Sequence, residues 1–192
     1  QTATIDIEPY EIMDKQELCP KVKFMKVYAP EISHKAKAGQ FVILRTDEVG
    51  ERIPLTLVDW ENKTGTITLI FQEIGLSTKK LGCLQTKERI MNLAGPLGKP
   101  SAIKNYGLVA VVCGGVGTAA AYPIAKALKQ AENTVISIIG ARSKNMLILE
   151  KEMKRVSDEL YISTDDGTKG HKGFVSDILR CLISRKYQFD AV

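Results

Sequence analysis

The sequence predicts an all-β antiparallel domain followed by an α/β domain built on a parallel sheet. Three observations carry this prediction. Short β-branched runs separated by turn signals fill the N-terminal half, strand-like and helix-like segments alternate after it, and a glycine-rich turn follows the most apolar run of the chain.

The N-terminus, "QTATIDIEPYEIMDKQEL", is acidic and lacks the apolar region of a signal peptide. "KVKFMKVYA", "GQFVILRT", "RIPLTLVDW", "GTITLIFQ" and "ERIMNL" then read as strands, punctuated by turn signals such as "KAGQ" and "ENKTG". That pattern is an antiparallel barrel or sandwich, interrupted by a single short helix at about 77–84. The stretch "GPLGKPSAIKNYG" (95–107) is dense in Gly and Pro and marks a boundary. The expected division is an N-terminal extension at 1–9, a β-barrel at 10–98, a linker at 99–106 and an α/β domain at 107–192.

An uncharged interval spans 105–125, close to the length a bilayer requires. Gly114, Gly115 and Gly117 interrupt it and Pro123 follows, so it divides into a buried strand (108–113), a glycine turn and a helix (118–130). The alternation continues with a strand at 134–140, a helix at 145–157, a strand at 159–164, a helix at 174–186 and a further strand beginning in "YQFDAV". Ligands of such sheets bind beyond the carboxyl ends of the strands, so "CGGVGT", "GARSKN" and "TDDGTKGHKG" are the loops that count.

The 192 residues are 44% apolar and 26% charged, which is globular composition. The net charge of +5 is spread among acids, as in "LEKEMKRVSDE", and only 6% of residues are aromatic, so no basic, base-stacking surface for nucleic acid is present. Cys19, Cys83, Cys113 and Cys181 form no CxxC or Cys/His cluster, which fits scattered thiols in a reducing cytoplasm and predicts no metal site. His34 and His171 lie in polar, lysine-rich turns beside no nucleophile pattern, and no catalytic side chain is predicted.

The turn after the first α/β strand holds Gly115-x-Gly117-x-x-Ala120, the spacing of a dinucleotide loop or of a tight packing turn. In the barrel, "GERIPLTL" sets Arg52, Pro54 and Thr56 at a strand entrance, either as a phosphate-and-ring contact or as an edge strand with a surface arginine. Gly75, Ser77 and Thr78 open the barrel helix, as an N-cap or as a diphosphate seat. Asp165 and Asp166 follow the third strand. A carboxylate there accepts hydrogen bonds from ribose hydroxyls and repels a 2′-phosphate, while an Asp-Asp-Gly turn chosen for its geometry is the alternative. Arg142 and Lys144 pull toward a phosphate.

Taken in order, "RIPLT", "IFQEIGLST", "GPLG" and "GGVGTAAAYPIAKAL" resemble the ferredoxin–NADP reductase superfamily. Within it the chain is most similar to the branch containing the dihydroorotate dehydrogenase electron-transfer subunit and the small subunit of the NADH-dependent ferredoxin:NADP oxidoreductase, also called sulfide dehydrogenase subunit. "GERIPLTL", "GPLGKPS", "SIIGAR", "LILEKEM", "SDELYISTDDG" and "KGFVSDIL" point to the latter, and the match covers residues 10 to 192.

The resemblance implies an all-β antiparallel Greek-key barrel followed by an α/β Rossmann-like parallel-sheet domain, the ferredoxin reductase-like arrangement. It implies an oxidoreductase subunit with FAD in the barrel and a nicotinamide nucleotide in the second domain, where the carboxylates of Asp165 and Asp166 favour NAD(H) over NADP(H). Arg52, Pro54, Leu55 and Thr56 correspond to the flavin motif, with Thr56 near the ring and Arg52 on phosphate. Ile70, Phe71 and Gln72 match the strand whose backbone lines the ribityl and adenosine side, and Gly75, Ser77 and Thr78 the diphosphate turn. Gly115, Gly117 and Thr118 match the nicotinamide-side loop, and Gly140, Ala141 and Arg142 the second loop.

Relatives of this branch carry a [2Fe–2S] cluster on cysteines past the last strand, so that cluster is expected only in a C-terminal segment beyond Val192. The implied partner is a larger flavin/iron–sulfur subunit of a hetero-oligomer, with ferredoxin as a further acceptor, and neither membrane nor nucleic acid. The implied role is electron transfer between NAD(H) and that partner. Service to dihydroorotate oxidation, or a non-catalytic docking module on the same fold, are the alternatives.

Overall fold

A computed structural model describes residues 7–192, which fall into two compact units meeting between Pro100 and Ser101. The extension expected at 1–9 lies, for residues 1–6, outside the described residues.

The first unit holds β1 (Ile12–Cys19), β2 (Val22–Tyr28), α1 (Pro30–Ser33), β3 (Phe41–Arg45), β4 (Ile53–Thr56), β5 (Asp59–Glu61), β6 (Thr66–Gln72), α2 (Leu76–Cys83) and β7 (Asn92–Leu97). Its strands form two antiparallel sheets, ordered β1-β2-β6-β5 and β4-β3-β7. An isolated bridge between Glu11 and Arg89 ties the start of the first sheet to the segment leading into β7. β6 is buried from Thr66 through Phe71, and its Ile67, Leu69 and Phe71 pack with Ile12, Met25, Val42 and Leu44 in one core.

This half departs from its sequence pattern in four places. β1 arises from a charged run, "IMDKQELC", that carries no clean alternation and was not expected as a strand. The single strand expected in "RIPLTLVDW" is two, β4 and β5, in different sheets. The chain changes sheet at Leu57 and Val58, both buried. The strand expected in "ERIMNL" starts later, at Asn92, and runs through Gly95 and Pro96 into the stretch read as a boundary. Two helices, α1 and α2, occur where one was expected.

The second unit holds β8 (Leu108–Gly114), a 3-10 turn (Gly115–Gly117), α3 (Thr118–Gln130), β9 (Thr134–Ala141), a second 3-10 turn (Lys144–Met146), α4 (Glu150–Arg155), β10 (Glu159–Thr164), β11 (His171–Lys172) and α5 (Val175–Ser184). β8 to β11 form one parallel sheet ordered β11-β10-β9-β8. A parallel bridge between Val109 and Ala191 continues it on the far side of β8. β9 is central and covered on both faces. Its Val135 and Ile139 pack with Ala125 of α3 and Met153 of α4, and its Ile136 and Ile138 with Ile178 and Leu182 of α5.

The helix expected at 145–157 is shorter. Leu149 takes a left-handed conformation, φ 54°, and separates the 3-10 turn from α4. Leu147 and Leu149 pack against the core over the sheet instead of continuing a helical stripe. The strand expected from Tyr187 onward is one bridge at Ala191. Among the described residues no helix is long and apolar enough to cross a membrane.

Candidate functional site

In the first unit the predicted residues gather around β4, β6 and the start of α2. Alternation along β4 packs Ile53 and Leu55, both half-buried, against the barrel core. Arg52, Pro54 and Thr56 occupy the opposite parity, with Arg52 and Pro54 exposed and Thr56 half-buried. Among the described residues Arg52 has no hydrogen-bond or ion-pair partner, so its five N–H donors face solvent. β4 approaches β6. β5 pairs with β6 only at Thr66 to Thr68, so Leu69 to Gln72 keeps one ladder side open. Ile70 and Phe71 are 5% and 2% exposed, so they can meet a ligand only through main-chain atoms.

β6 leads into Gly75, which is the N-cap of α2. Neither Ser77 nor Thr78 takes the N-cap position itself. Thr78 lies at N3, and its hydroxyl accepts from the Gly75 and Ile74 N–H groups, both at 3.1 Å. Ser77 Oγ donates to Glu51 Oε2 at 3.1 Å, and Lys80 Nζ donates to Asp47 Oδ2 at 2.9 Å. These bonds hold the loop before Arg52 against the first turns of α2. The Lys80 ammonium keeps the Asp47 carboxyl below its ordinary pKa. A Cβ built on Gly75 would have nothing within 4 Å. Protein packing therefore gives no reason for glycine there, whereas close approach of an anion to the helix N-terminus does. Glu51 is a residue the sequence reading missed, since a carboxylate next to an expected phosphate site carries no pattern.

In the second unit the carboxyl edge of the sheet encloses a pocket of about 300 Å³ lined by Gly114, Gly115, Gly140, Ala141, Arg142, Ser163, Asp165, Phe174 and Val175. Five of these are predicted site residues, brought from three loops. Gly115 sits at φ 54° with nothing within 4 Å of an added Cβ, and Gly117 is likewise open. Gly140 is different. Its Cβ would stand 2.6 Å from Val175 Cγ1 and 2.9 Å from Ser163 Oγ, so glycine is needed there to seat α5 on β9.

Thr118 opens α3 but is 2% exposed, and its N–H already bonds to carbonyls of the 3-10 turn. Its side chain bonds to the Cys113 thiol, whose pKa is nevertheless raised, chiefly by burial. The two acidic residues part company. Asp165 lines the pocket beside Arg142, whereas Asp166 Oδ1 accepts from the Thr168 N–H at 2.9 Å and hydroxyl at 2.6 Å. Those bonds hold the Asp166 carboxyl below its ordinary range. Phe174, 67% exposed at the N-cap of α5, also lines the pocket. The helix expected at 174–186 includes it, whereas in the structure it precedes the first turn of α5 and is turned outward.

Among the described residues no group of three or more His, Cys, Asp or Glu side chains could hold a metal ion, and the four cysteines are free.

An antiparallel barrel with a glycine-capped helix, followed by a parallel sheet with a glycine-opened carboxyl edge, defines the ferredoxin reductase-like class. The chain is 41% identical to a chain in a structure described as giving insights into flavin-based electron bifurcation via the NADH-dependent reduced ferredoxin-NADP oxidoreductase. The TM-score is 0.87, over 92% of this chain and 63% of that one. It is 43% identical over 180 residues to a dihydroorotate dehydrogenase B (NAD(+)) electron transfer subunit homolog of Thermotoga maritima, covering 94% of this chain and 63% of the relative. It is 30% identical over 181 residues to the dihydroorotate dehydrogenase B (NAD(+)) electron transfer subunit of Streptococcus thermophilus, covering 90% and 68%. No family model matches the chain. The chain belongs to the dihydroorotate dehydrogenase B electron transfer subunit family, and it spans just under two thirds of the length of the Thermotoga relative.

Proposed function

We propose that this chain is the FAD- and NAD(H)-binding part of an electron-transfer subunit, an oxidoreductase component working with a larger flavin/iron–sulfur subunit. One observation carries the reading. Gly75 and Gly115 each precede a helix, and at both an added Cβ would meet no protein atom within 4 Å. Such cradles suit diphosphates, whose oxygens need backbone N–H groups at close range.

The residues present fit both groups. For FAD, Gly75 and the first turn of α2 would hold the diphosphate and the unpartnered Arg52 would add a charge-assisted bond to it. The open side of Leu69 to Gln72 would line the ribityl chain, and Thr56 would present its hydroxyl toward the ring. For NAD(H), Gly115 and Gly117 would admit the diphosphate, Phe174 would offer a stacking face, and Asp165 would accept from ribose hydroxyls. Gly140 and Ala141 would shape the wall and Arg142 would balance charge. Ser77, Thr78, Thr118 and Asp166 would support these contacts by fixing the loops rather than by touching the ligand. Bound FAD supplies the exchange between two-electron chemistry with a nicotinamide and one-electron chemistry with an iron–sulfur partner.

The names of its relatives support this role and favour NAD(H). Two of them favour service to dihydroorotate oxidation as the second reading. Among the described residues the scattered cysteines do not fit a [2Fe–2S] centre.

The test is reconstitution with FAD followed by anaerobic titration with NADH and, separately, NADPH. The expected result is a yellow protein whose flavin absorbance is bleached by NADH in preference. A colourless protein that takes up no FAD would instead mark a docking module.

A further inference from the structure

We propose that Thr168 is a positioning residue for nucleotide discrimination, acting by locking the loop after β10 to the loop after β9 so that Asp165 and Arg142 face one pocket. The inference rests on the reading of that pocket as the nicotinamide-nucleotide site.

The Thr168 hydroxyl makes two bonds of opposite sense. It accepts the Lys144 N–H at 2.8 Å, from the loop after β9, and donates to Asp166 Oδ1 at 2.6 Å, within its own loop. A hydroxyl can do both at once because it has one proton and two lone pairs. Main-chain bonds complete the lacing: Asp165 N–H to Ala141 O at 3.1 Å and Asp166 N–H to Arg142 O at 3.2 Å. With Asp166 consumed inside the turn, Asp165 and Arg142 are the charged residues lining the pocket. One of the pair suits ribose hydroxyls and the other a phosphate, so their relative placement decides which nucleotide is preferred. The turn is held by one side-chain bond as well. The hydroxyl bridge ties it to the amide of Lys144, two residues beyond Arg142. Valine in its place keeps the shape but can neither accept nor donate, leaving the Lys144 N–H to water and the Asp166 carboxylate with only the main-chain N–H of residue 168.

The experiment compares Thr168→Val and Thr168→Ser with the unmodified protein, loaded with FAD. Dissociation constants for NAD+ and NADP+ are measured by calorimetry, together with KM and kcat for NADH-driven flavin reduction and the melting temperature. The expected result for Thr168→Val is NAD+ binding weakened about tenfold, in line with loss of one hydrogen bond to a charged acceptor. The NAD+/NADP+ ratio narrows, KM rises, and kcat at saturation stays within about twofold. Thr168→Ser restores all three. Unchanged affinities and ratio in Thr168→Val, while the unmodified protein binds NAD+, would overturn the role of Thr168 alone. So would equal loss of NAD+ and NADP+ affinity accompanied by a fall in melting temperature that serine does not rescue. An unmodified protein that binds neither nucleotide would overturn the pocket reading and this inference with it.

Discussion

Ser77 Oγ and Glu51 Oε2 lie 3.1 Å apart, which sets a carboxylate at the first turn of the helix that follows Gly75. Glu51 is exposed and Gly75 has open space before it, so the carboxylate stands where the helix N-terminus attracts an anion. It adds negative charge to a place proposed for a diphosphate.

Replacing Glu51 with Gln should therefore tighten FAD binding. Removing one like charge at a surface helix terminus is worth about 0.3–1 kcal/mol at low ionic strength, or roughly two- to fivefold in affinity. Fluorescence titration of apoprotein with FAD at low and high salt checks this, with the gain shrinking as salt rises. Weaker binding by Glu51→Gln would mean that the carboxylate supports the site through Ser77.

Arg52→Ala should cost FAD affinity and leave the apoprotein as stable as before. Among the described residues Arg52 bonds to nothing, so the folded chain loses no interaction. The ligand loses a charge-assisted bond worth about 1.5–3 kcal/mol. Parallel measurement of FAD affinity and apoprotein melting temperature separates the two effects, and a destabilised apoprotein would contradict the geometry.

Two glycines should behave oppositely. Gly75→Ala, at φ −115° with no atom near the new Cβ, should change urea stability by less than about 1 kcal/mol, the lost freedom of the unfolded chain offsetting the poorer N-cap, while weakening FAD binding. Gly140→Ala places its Cβ 2.6 Å from Val175 Cγ1 and should destabilise the second unit by about 1–3 kcal/mol through overpacking. Urea unfolding of both variants, with flavin titration of the first, is the check.

Asp165→Ser should relax the proposed preference for NAD+ over NADP+, because it removes the pocket carboxylate and leaves Arg142 as the charged residue lining the pocket. Competition binding with the two nucleotides measures it. An unaltered ratio would assign Asp165 to the turn alone.

The pH dependence of stability should include Asp158. Its carboxylate accepts from Lys129 Nζ at 2.6 and 2.8 Å and from the Val135 N–H at 2.8 Å, and these bonds hold its pKa below the ordinary value. A depressed folded pKa contributes stability above the unfolded value, and that contribution is lost as pH falls through the folded pKa. Asp158→Asn should thus cost about 0.5–1 kcal/mol at neutral pH, a modest figure because the pair is solvent-exposed. The difference from the unmodified chain should vanish well below pH ~4. Denaturant melts at pH 7 and pH 2.5 test the sign.

Local pattern determined a good deal of this protein. The short β-branched runs between turn signals located most barrel strands, the apolar run 108–113 with its glycine turn located β8 and the start of α3, and the strand–helix alternation specified the parallel sheet. These are features of side-chain spacing and backbone freedom, and they are written residue by residue. The charged run of β1 was illegible, since its place in the sheet is set by pairing with β2 rather than by its own alternation.

The division of labour within the site was decided only by the tertiary structure. Sequence treated Asp165 and Asp166 alike, and grouped Gly115 with Gly140 and Leu55 with Thr56. In the folded chain Asp166 is spent on Thr168, Gly140 makes room for Val175, and Leu55 faces the core. Neighbours in sequence diverge because successive side chains in a strand point to opposite faces. Whether a polar group is free or already bonded depends on partners that folding brings from elsewhere in the chain.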